Sequence, residues 1–139
     1  FQYRSSSFRL NDFIISARFK LEKSTEKNIK HKKKIASDGR IKTQPLKYRS
    51  AGSVFKSPNS MLAAGFLIDK SGLKGTVCGD AEISTHHANF FINHGNAKAK
   101  DIAHLIKLSR KSIFERFGIM LDLEIKTIGF KNKELFPYD

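Results

Sequence analysis

The spacing of apolar and polar positions changes period several times along the chain, and each change marks an element. In residues 13–21, Ile15, Ala17, Phe19 and Leu21 share one face and Ser16, Arg18 and Lys20 the other, the alternation of a strand. Residues 23–41 are thin in apolar content (Ile29, Ile35, Ala36) but read as a helix with Ser24 as N-cap, Glu26 in its first turn and Gly39 as its stop. A second helix is predicted over 61–72, where Leu62, Phe66 and Leu67, with Ala64 and Ile68, recur at helical spacing until Gly72 closes it. Short strands follow at 76–78, 81–84 and 88–93. The strongest helix covers 98–117: Ile102, Leu105, Ile106, Ile113 and Phe117 form one core-facing stripe, Asn96 caps it, Gly118 ends it, and His104 lies on the solvent side. Residues 121–128 alternate again, with Leu121, Leu123 and Ile125 against Asp122, Glu124 and Lys126, as in a half-buried strand with a charged outer face. The predicted class is α+β, a small mixed or antiparallel sheet with helices packed on one side.

Composition narrows the class further. A chain of 139 residues with 40% hydrophobic and 11% aromatic residues can bury one core. No apolar run reaches the ~20 residues of a membrane helix. The single cysteine, Cys78, has no intramolecular disulfide partner, which suits a reducing compartment, and the five histidines show no metal-ligand spacing. The opening Phe1-Gln2-Tyr3-Arg4 lacks an initiator methionine and the order of a signal peptide, so the chain reads as one entered midway. Net charge is +13, and residues 20–47 hold ten Lys/Arg against three Asp/Glu. A basic nucleic-acid-binding module would account for that charge, but no aromatic residue interleaves with Lys30, Lys32, Lys33 and Lys34 for stacking. The run is read as a solvated helix face, with neither a nucleic acid nor a membrane as partner.

The stretch Arg49-Ser50-Ala51-Gly52-Ser53-Val54-Phe55-Lys56-Ser57-Pro58 carries the candidate chemistry. Its small residues let backbone approach something bulky, and Gly52 can take a positive φ. Ser53 is expected at the end of a sharp strand-to-helix turn, either as a backbone cap or as a free hydroxyl. Lys56 could supply positive charge, and Pro58 ends any regular element.

Several segments, in order, resemble the UDP-N-acetylenolpyruvoylglucosamine reductase (UDP-N-acetylmuramate dehydrogenase) family, in its C-terminal part. They are Tyr3-Arg4-Ser5 ahead of the strand at 13–21, Gln44-Pro45-Leu46, the Ser-Ala-Gly-Ser-Val-Phe-Lys-Ser-Pro stretch, Ala64-Gly65-Phe66-Leu67-Ile68 with Gly72-Leu73-Lys74-Gly75, Gly79-Asp80-Ala81-Glu82-Ile83-Ser84 with His87-Ala88-Asn89-Phe90, and Phe117-Gly118 with Leu121, Glu124, Ile128 and Gly129. The tract after Lys56 is short, as in the class lacking an inserted tyrosine loop. Asp80 stands where the family usually has a second glycine.

The resemblance implies a cytoplasmic flavoenzyme of peptidoglycan synthesis, in which NADPH reduces FAD and the flavin reduces UDP-N-acetylglucosamine enolpyruvate to UDP-N-acetylmuramate. It gives Ser53 the role of proton donor and Glu124 that of orienting the enol intermediate. Tyr3, Lys56 and Ser57 match substrate-binding positions, and Arg4 and Gly52 are assigned to the cofactor. The family's arginine from the flavin-binding domain has no counterpart here. Residues 1–22 are then a remnant hairpin of that domain, 23–47 a charged connecting helix and linker, 48–129 the substrate-binding domain and 130–139 a tail. With no glycine-rich phosphate loop in the sequence, the chain alone is expected neither to hold FAD nor to turn over, and its partners are the UDP-sugar and the missing flavin-binding domain. A split or degenerate reductase half that works only with a separate flavin domain remains an alternative, as does the nucleic-acid module.

Overall fold

The computed structural model describes residues 6–8, 11–59 and 61–135. The chain divides between Lys33 and Lys34 into two units.

In the first unit the strand expected at 13–21 is not formed. Residues 12–25 have no ladder partner among the described residues, and Phe13, Ile15, Phe19 and Leu21 are at least three-quarters exposed (91%, 95%, 78% and 84%). Alternation supplies a strand's faces but not the neighbour that takes its hydrogen bonds, and the other part of the expected hairpin, residues 1–5, 9 and 10, lies outside the described residues. Helix α1 (Glu26–Thr43) begins here. Its cap is Thr25 rather than Ser24: the Thr25 hydroxyl accepts the Asn28 N–H at 3.3 Å.

In the second unit α1 runs through Gly39 instead of stopping there, and ends at Thr43, whose hydroxyl donates to the Gly39 carbonyl at 2.9 Å. Glycine stops a helix when it turns left-handed, and the stop falls instead just ahead of Pro45. No α1 residue is buried. Its ion pairs, Glu26–Lys30 and Lys34–Asp38, are surface pairs one turn apart, the solvated face expected of the lysine run.

A four-stranded antiparallel sheet follows, ordered β1 (Arg49–Ser53), β4 (Phe90–Asn93), β3 (Ala81–Ile83), β2 (Val77–Cys78). The β2–β3 hairpin turns through Gly79 and Asp80, with Gly79 at φ +55° supplying the left-handed residue a two-residue turn needs. Asp80, which stands where a second glycine was expected, uses its side chain in the structure. Its carboxylate accepts the Asn96 N–H at 3.0 Å and its carbonyl the His94 N–H at 2.9 Å, tying the hairpin to the approach of α3 (Ala99–Phe117). Asn96 therefore does not cap α3; the Asp101 carboxylate does, accepting the Lys98 N–H at 2.8 Å. Gly118 ends the helix in the left-handed conformation as expected, at φ +67°.

Helix α3 packs on β2 and β3 and against α2 (Ala64–Lys70), which is shorter than the 61–72 expected because Asn59 Oδ1 holds the Met61 and Leu62 amides in a turn ahead of it. Leu105, Ile106 and Ile113 of the predicted stripe are buried, Ile102 is partly so, and Phe117 lies under the Arg116 guanidinium at the surface. With Phe55, Leu67, Ile68, Ile83, Phe91 and Leu121 these side chains make one core. Leu135, in a 3-10 turn over Asn132–Leu135 within a segment that carries no sequence signal, is buried in the same core.

The strand expected at 121–128 is reduced to one bridge, Phe55 to Leu123. The alternation survives, with positions 121, 123, 125 and 127 more buried than 122, 124, 126 and 128. Among the described residues, 54–56 are the backbone that bonds to it. Arg110, 3% exposed, pins this segment from below: its Nε donates to the Leu121 carbonyl at 2.9 Å and a terminal nitrogen to the Leu135 carbonyl at 2.8 Å. Arg110→Met, which keeps the stem and deletes both donors, is expected to cost about 2–4 kcal/mol in denaturant unfolding; a loss below about 0.5 kcal/mol would mean that the two carbonyls find other partners. The neighbouring Ser109 hydroxyl is fully buried and makes no hydrogen bond. Ser109→Ala is expected to stabilise by about 0.5–1 kcal/mol, and destabilisation would reveal a partner for that hydroxyl.

Candidate functional site

Strand β1 lies at the outer edge of the sheet, and its register with β4 slips by one residue between Ser50, which faces Ile92, and Ser53, which faces Phe90. Gly52, at φ +85°, sits inside that slip, as the left-handed glycine of a β-bulge does. The sharp strand-to-helix turn expected at Ser53 is therefore a bulge within a strand. Ser53 is the last residue of β1, half-buried, and α2 begins only at Ala64. A bulge leaves the following backbone out of step with its partner, so 54–56 must find hydrogen bonds elsewhere.

On one side they find the residue just before β4. The Val54 N–H donates to the Asn89 carbonyl at 2.8 Å, the Phe55 N–H to Asn89 Oδ1 at 3.0 Å, and Asn89 Nδ2 donates to the Phe55 carbonyl at 2.9 Å. On the other side the Glu124 N–H donates to the Val54 carbonyl and the Lys56 N–H to the Asp122 carbonyl, both at 2.8 Å. Ser53 and Glu124, distant in sequence, thus stand on adjacent antiparallel backbones one position out of register. Ser53 is half-buried and Glu124 exposed.

Of the other sequence-predicted residues, Lys56 is exposed beside this pair of segments. The Ser57 hydroxyl accepts the Ala64 N–H at 3.4 Å and so links the segment to the start of α2. At Gly52 an added Cβ would meet no protein atom within 4 Å, so the bulge is open to approach. Tyr3 and Arg4 lie outside the described residues. Ahead of the bulge, on the β1 edge, is a groove of about 330 Å³ floored by Val54, Phe91, Ile102 and Ile125, with Arg49 and Ser50 at its rim.

Two residues carry more of this geometry than sequence reasoning gave them. Arg49 brings a positive charge to the groove. Asn89, 5% exposed, sits inside the apolar run 88–92, and a lone amide in such a run is the available signal, since a buried carboxamide must be spoken for by its neighbours. Its own N–H donates to His87 Nδ1 at 3.2 Å. The His87 ring packs edge-on to Phe90 with centroids 4.8 Å apart, and Gly65 of α2 lies against it so closely that an added Cβ would be 3.2 Å from Cε1. Accepting through Nδ1 requires the unprotonated ring. Burial, and then the charges of His86 and Lys74, lower the His87 pKa below its ordinary 6.5.

Among the described residues no helix is long and apolar enough to cross a membrane. Residues 44–128 match the family described as UDP-N-acetylenolpyruvoylglucosamine reductase, C-terminal domain. Curated relatives with the name UDP-N-acetylenolpyruvoylglucosamine reductase include one from Rickettsia canadensis, 42% identical over 93% of this chain and 43% of its own length. Another, from Synechococcus, is 45% identical over 94% of this chain and 44% of its own. The crystal structure of UDP-N-acetylenolpyruvylglucosamine reductase from Thermus caldophilus superposes with a TM-score of 0.65 at 38% identity, over 78% of this chain and 38% of that one. The chain thus spans about two-fifths of the length of the relatives it matches.

A His with a lowered folded pKa takes up its proton first in the unfolded chain, so its contribution to stability is complete above 6.5 and is lost as pH falls from there through the folded value. Unfolding midpoints measured from about pH 7 down to about pH 5 are expected to fall more steeply for the parent chain than for His87→Gln. Equal acid sensitivity in the two would show that His87 is not the titrating group.

Proposed function

Since the chain belongs to the UDP-N-acetylenolpyruvoylglucosamine reductase family, in its C-terminal domain, we propose that it forms the substrate half of an oxidoreductase that converts UDP-N-acetylglucosamine enolpyruvate to UDP-N-acetylmuramate in peptidoglycan synthesis, in the cytoplasm. The observation that carries this reading is the pairing of the Val54 and Glu124 backbones, which brings Ser53 and Glu124 to one edge of the sheet. Residues 48–129 are the proposed substrate-binding domain, and residues 1–22 belong with the flavin-binding part of the whole enzyme.

The cofactor fits these residues in part. The open bulge at Gly52 and the small side chains around it suit the close approach of a flat ring system. Among the described residues no glycine-rich turn leads from a strand into a helix N-terminus, so nothing in them cradles a dinucleotide's pyrophosphate. The reading therefore places FAD mainly on residues outside this chain, with the Gly52 edge against it and Arg4 as a further contact. When bound there and reduced by NADPH, FAD would supply hydride chemistry.

When a hydride adds to the terminal carbon of the enolpyruvyl double bond, the electron pair moves toward the carboxylate, and the adjacent carbon must then take a proton. Ser53 is the proposed donor. A hydroxyl is a weak acid in water, and its half-buried place beside the bulge limits hydration. Glu124 is proposed to orient and polarise the enol form. Arg49, Lys56 and Ser57, with Tyr3, are proposed to meet the anionic UDP-sugar, for which the groove beside the bulge offers an apolar floor and a cationic rim.

Calorimetric titration of the chain with UDP-N-acetylglucosamine enolpyruvate tests the half-site. Turnover is measured with a relative's flavin-binding domain supplied in trans. Ser53→Ala and Glu124→Gln are each expected to lower kcat by about 10²–10⁴-fold while substrate affinity stays within several-fold. A Ser53→Ala protein as active as the parent would overturn the reading. The chain alone is expected to be colourless and not to oxidise NADPH.

A further inference from the structure

Phe55 is fully buried, and both of its main-chain polar groups bond to one side chain, that of Asn89. A carboxamide is the side-chain copy of a peptide unit, with a donor and an acceptor in one plane. The bulge at Gly52 has thrown the chain out of step with β4, and at that point the Asn89 amide takes over the hydrogen bonding a strand would have provided. We infer that Asn89 is the positioning residue of the half-site: it stands in for an absent strand and fixes the segment that ends β1 at one register against 122–124, so that Ser53 and Glu124 are held as a unit.

The physical case is one of bookkeeping on 54–56. Bonds to Asn89 hold one side and bonds to 122–124 hold the other, so the segment cannot slide without breaking both sets. Deleting the carboxamide leaves the Phe55 N–H and C=O buried without partners, a strong drive to relax by shifting the segment. The contacts on the Glu124 side are too few to resist such a shift, since the ladder there is a single bridge. Neither Asn89 nor Phe55 faces the groove edge that would meet a ligand; Asn89 acts through the backbone it holds. The inference rests on the reductase reading only for what Ser53 and Glu124 do.

The test uses the chain itself, with amide hydrogen exchange resolved by residue. In Asn89→Asp the ionised carboxylate still accepts the Phe55 N–H but faces the Phe55 carbonyl with no donor, whereas the protonated acid restores both bonds. Protection of the Phe55, Lys56 and Glu124 amides is expected to fall about tenfold or more at neutral pH, the effect of losing a buried hydrogen bond on a local opening. It should return as the introduced carboxyl protonates. In Asn89→Leu, of similar volume, protection should be lost at every pH; since the His87 ring accepts the residue-89 N–H in either variant and its protonation only weakens the segment, recovery on acidification in Asn89→Asp alone belongs to the carboxyl. Amides of β3 and α3 should keep their protection. Undiminished protection at Phe55 and Glu124 in Asn89→Leu, a loss spread evenly over the sheet, or no recovery of Asn89→Asp on acidification would each overturn the inference. If the exchange pattern is as expected while Ser53→Ala leaves turnover unchanged, the reductase reading falls and the clamp stands.

Discussion

A buried main-chain amide must have a partner, and at Phe55 the partner is the carboxamide of Asn89. Much of the candidate site depends on that substitution of a side chain for a strand. The bulge at Gly52 leaves an edge with small residues and open space, which suits the close approach of a ligand, but it also breaks the ladder that would normally hold such an edge in place. Asn89 restores order just beyond the break. Arg110 does the same for the facing segment, by taking the carbonyls of Leu121 and Leu135 from beneath. Two buried polar side chains, neither at the edge itself, thus hold the two backbones that meet there. His87 and Gly65 extend the arrangement to α2, with the ring bonded to Asn89 on one side and packed on bare helix backbone on the other.

How far the sequence revealed this depends on the kind of signal. Where an element's own residues decide it, as in α3 with its stripe and its Gly118 stop, or the β2–β3 hairpin, reading and structure agree. Where a neighbour decides it, they part. Residues 13–21 alternate well and have no ladder partner among the described residues; 121–128 alternate well, keep their burial pattern and form one bridge. Ser53 and Glu124 were singled out by resemblance, and their approach to one another is a matter of tertiary pairing that no local period encodes. Asn89 was visible as one letter of a matching motif, but its bonds run to a residue 34 positions away and leave no trace in spacing. The caps differ at both long helices: at α1 the adjacent Ser24 and Thr25 compete and Thr25 takes the bond, and at α3 Asn96 is passed over because the Asp101 carboxylate, inside the first turn, accepts the Lys98 N–H.

The charge also separates from the chemistry. The lysine-rich run lies on α1, which buries nothing and satisfies part of its charge internally by exposed pairs. The groove beside the bulge has Arg49 at its rim and Lys56 nearby. Net charge would have pointed to a polyanion as partner; the local arrangement suits a small anion held at an apolar floor.

The hydrogen bond from Glu124 to Val54 has a consequence for the cost of assembly. β2, β3 and β4 follow one another closely, and the link from Asp80 to Asn96 joins that meander to the start of α3 through contacts short in sequence. β1 reaches β4 only across α2 and the hairpin, and 122–124 reach 54–56 only across everything between. Each such closure carries an entropy cost that grows with the length of the loop and is recovered only when the contacts form. The meeting of the Ser53 and Glu124 backbones therefore carries one of the longer closures in the chain, and because Val54, Phe55 and Leu121 belong to the core, the burial that completes the core is also what offsets the closing of this edge.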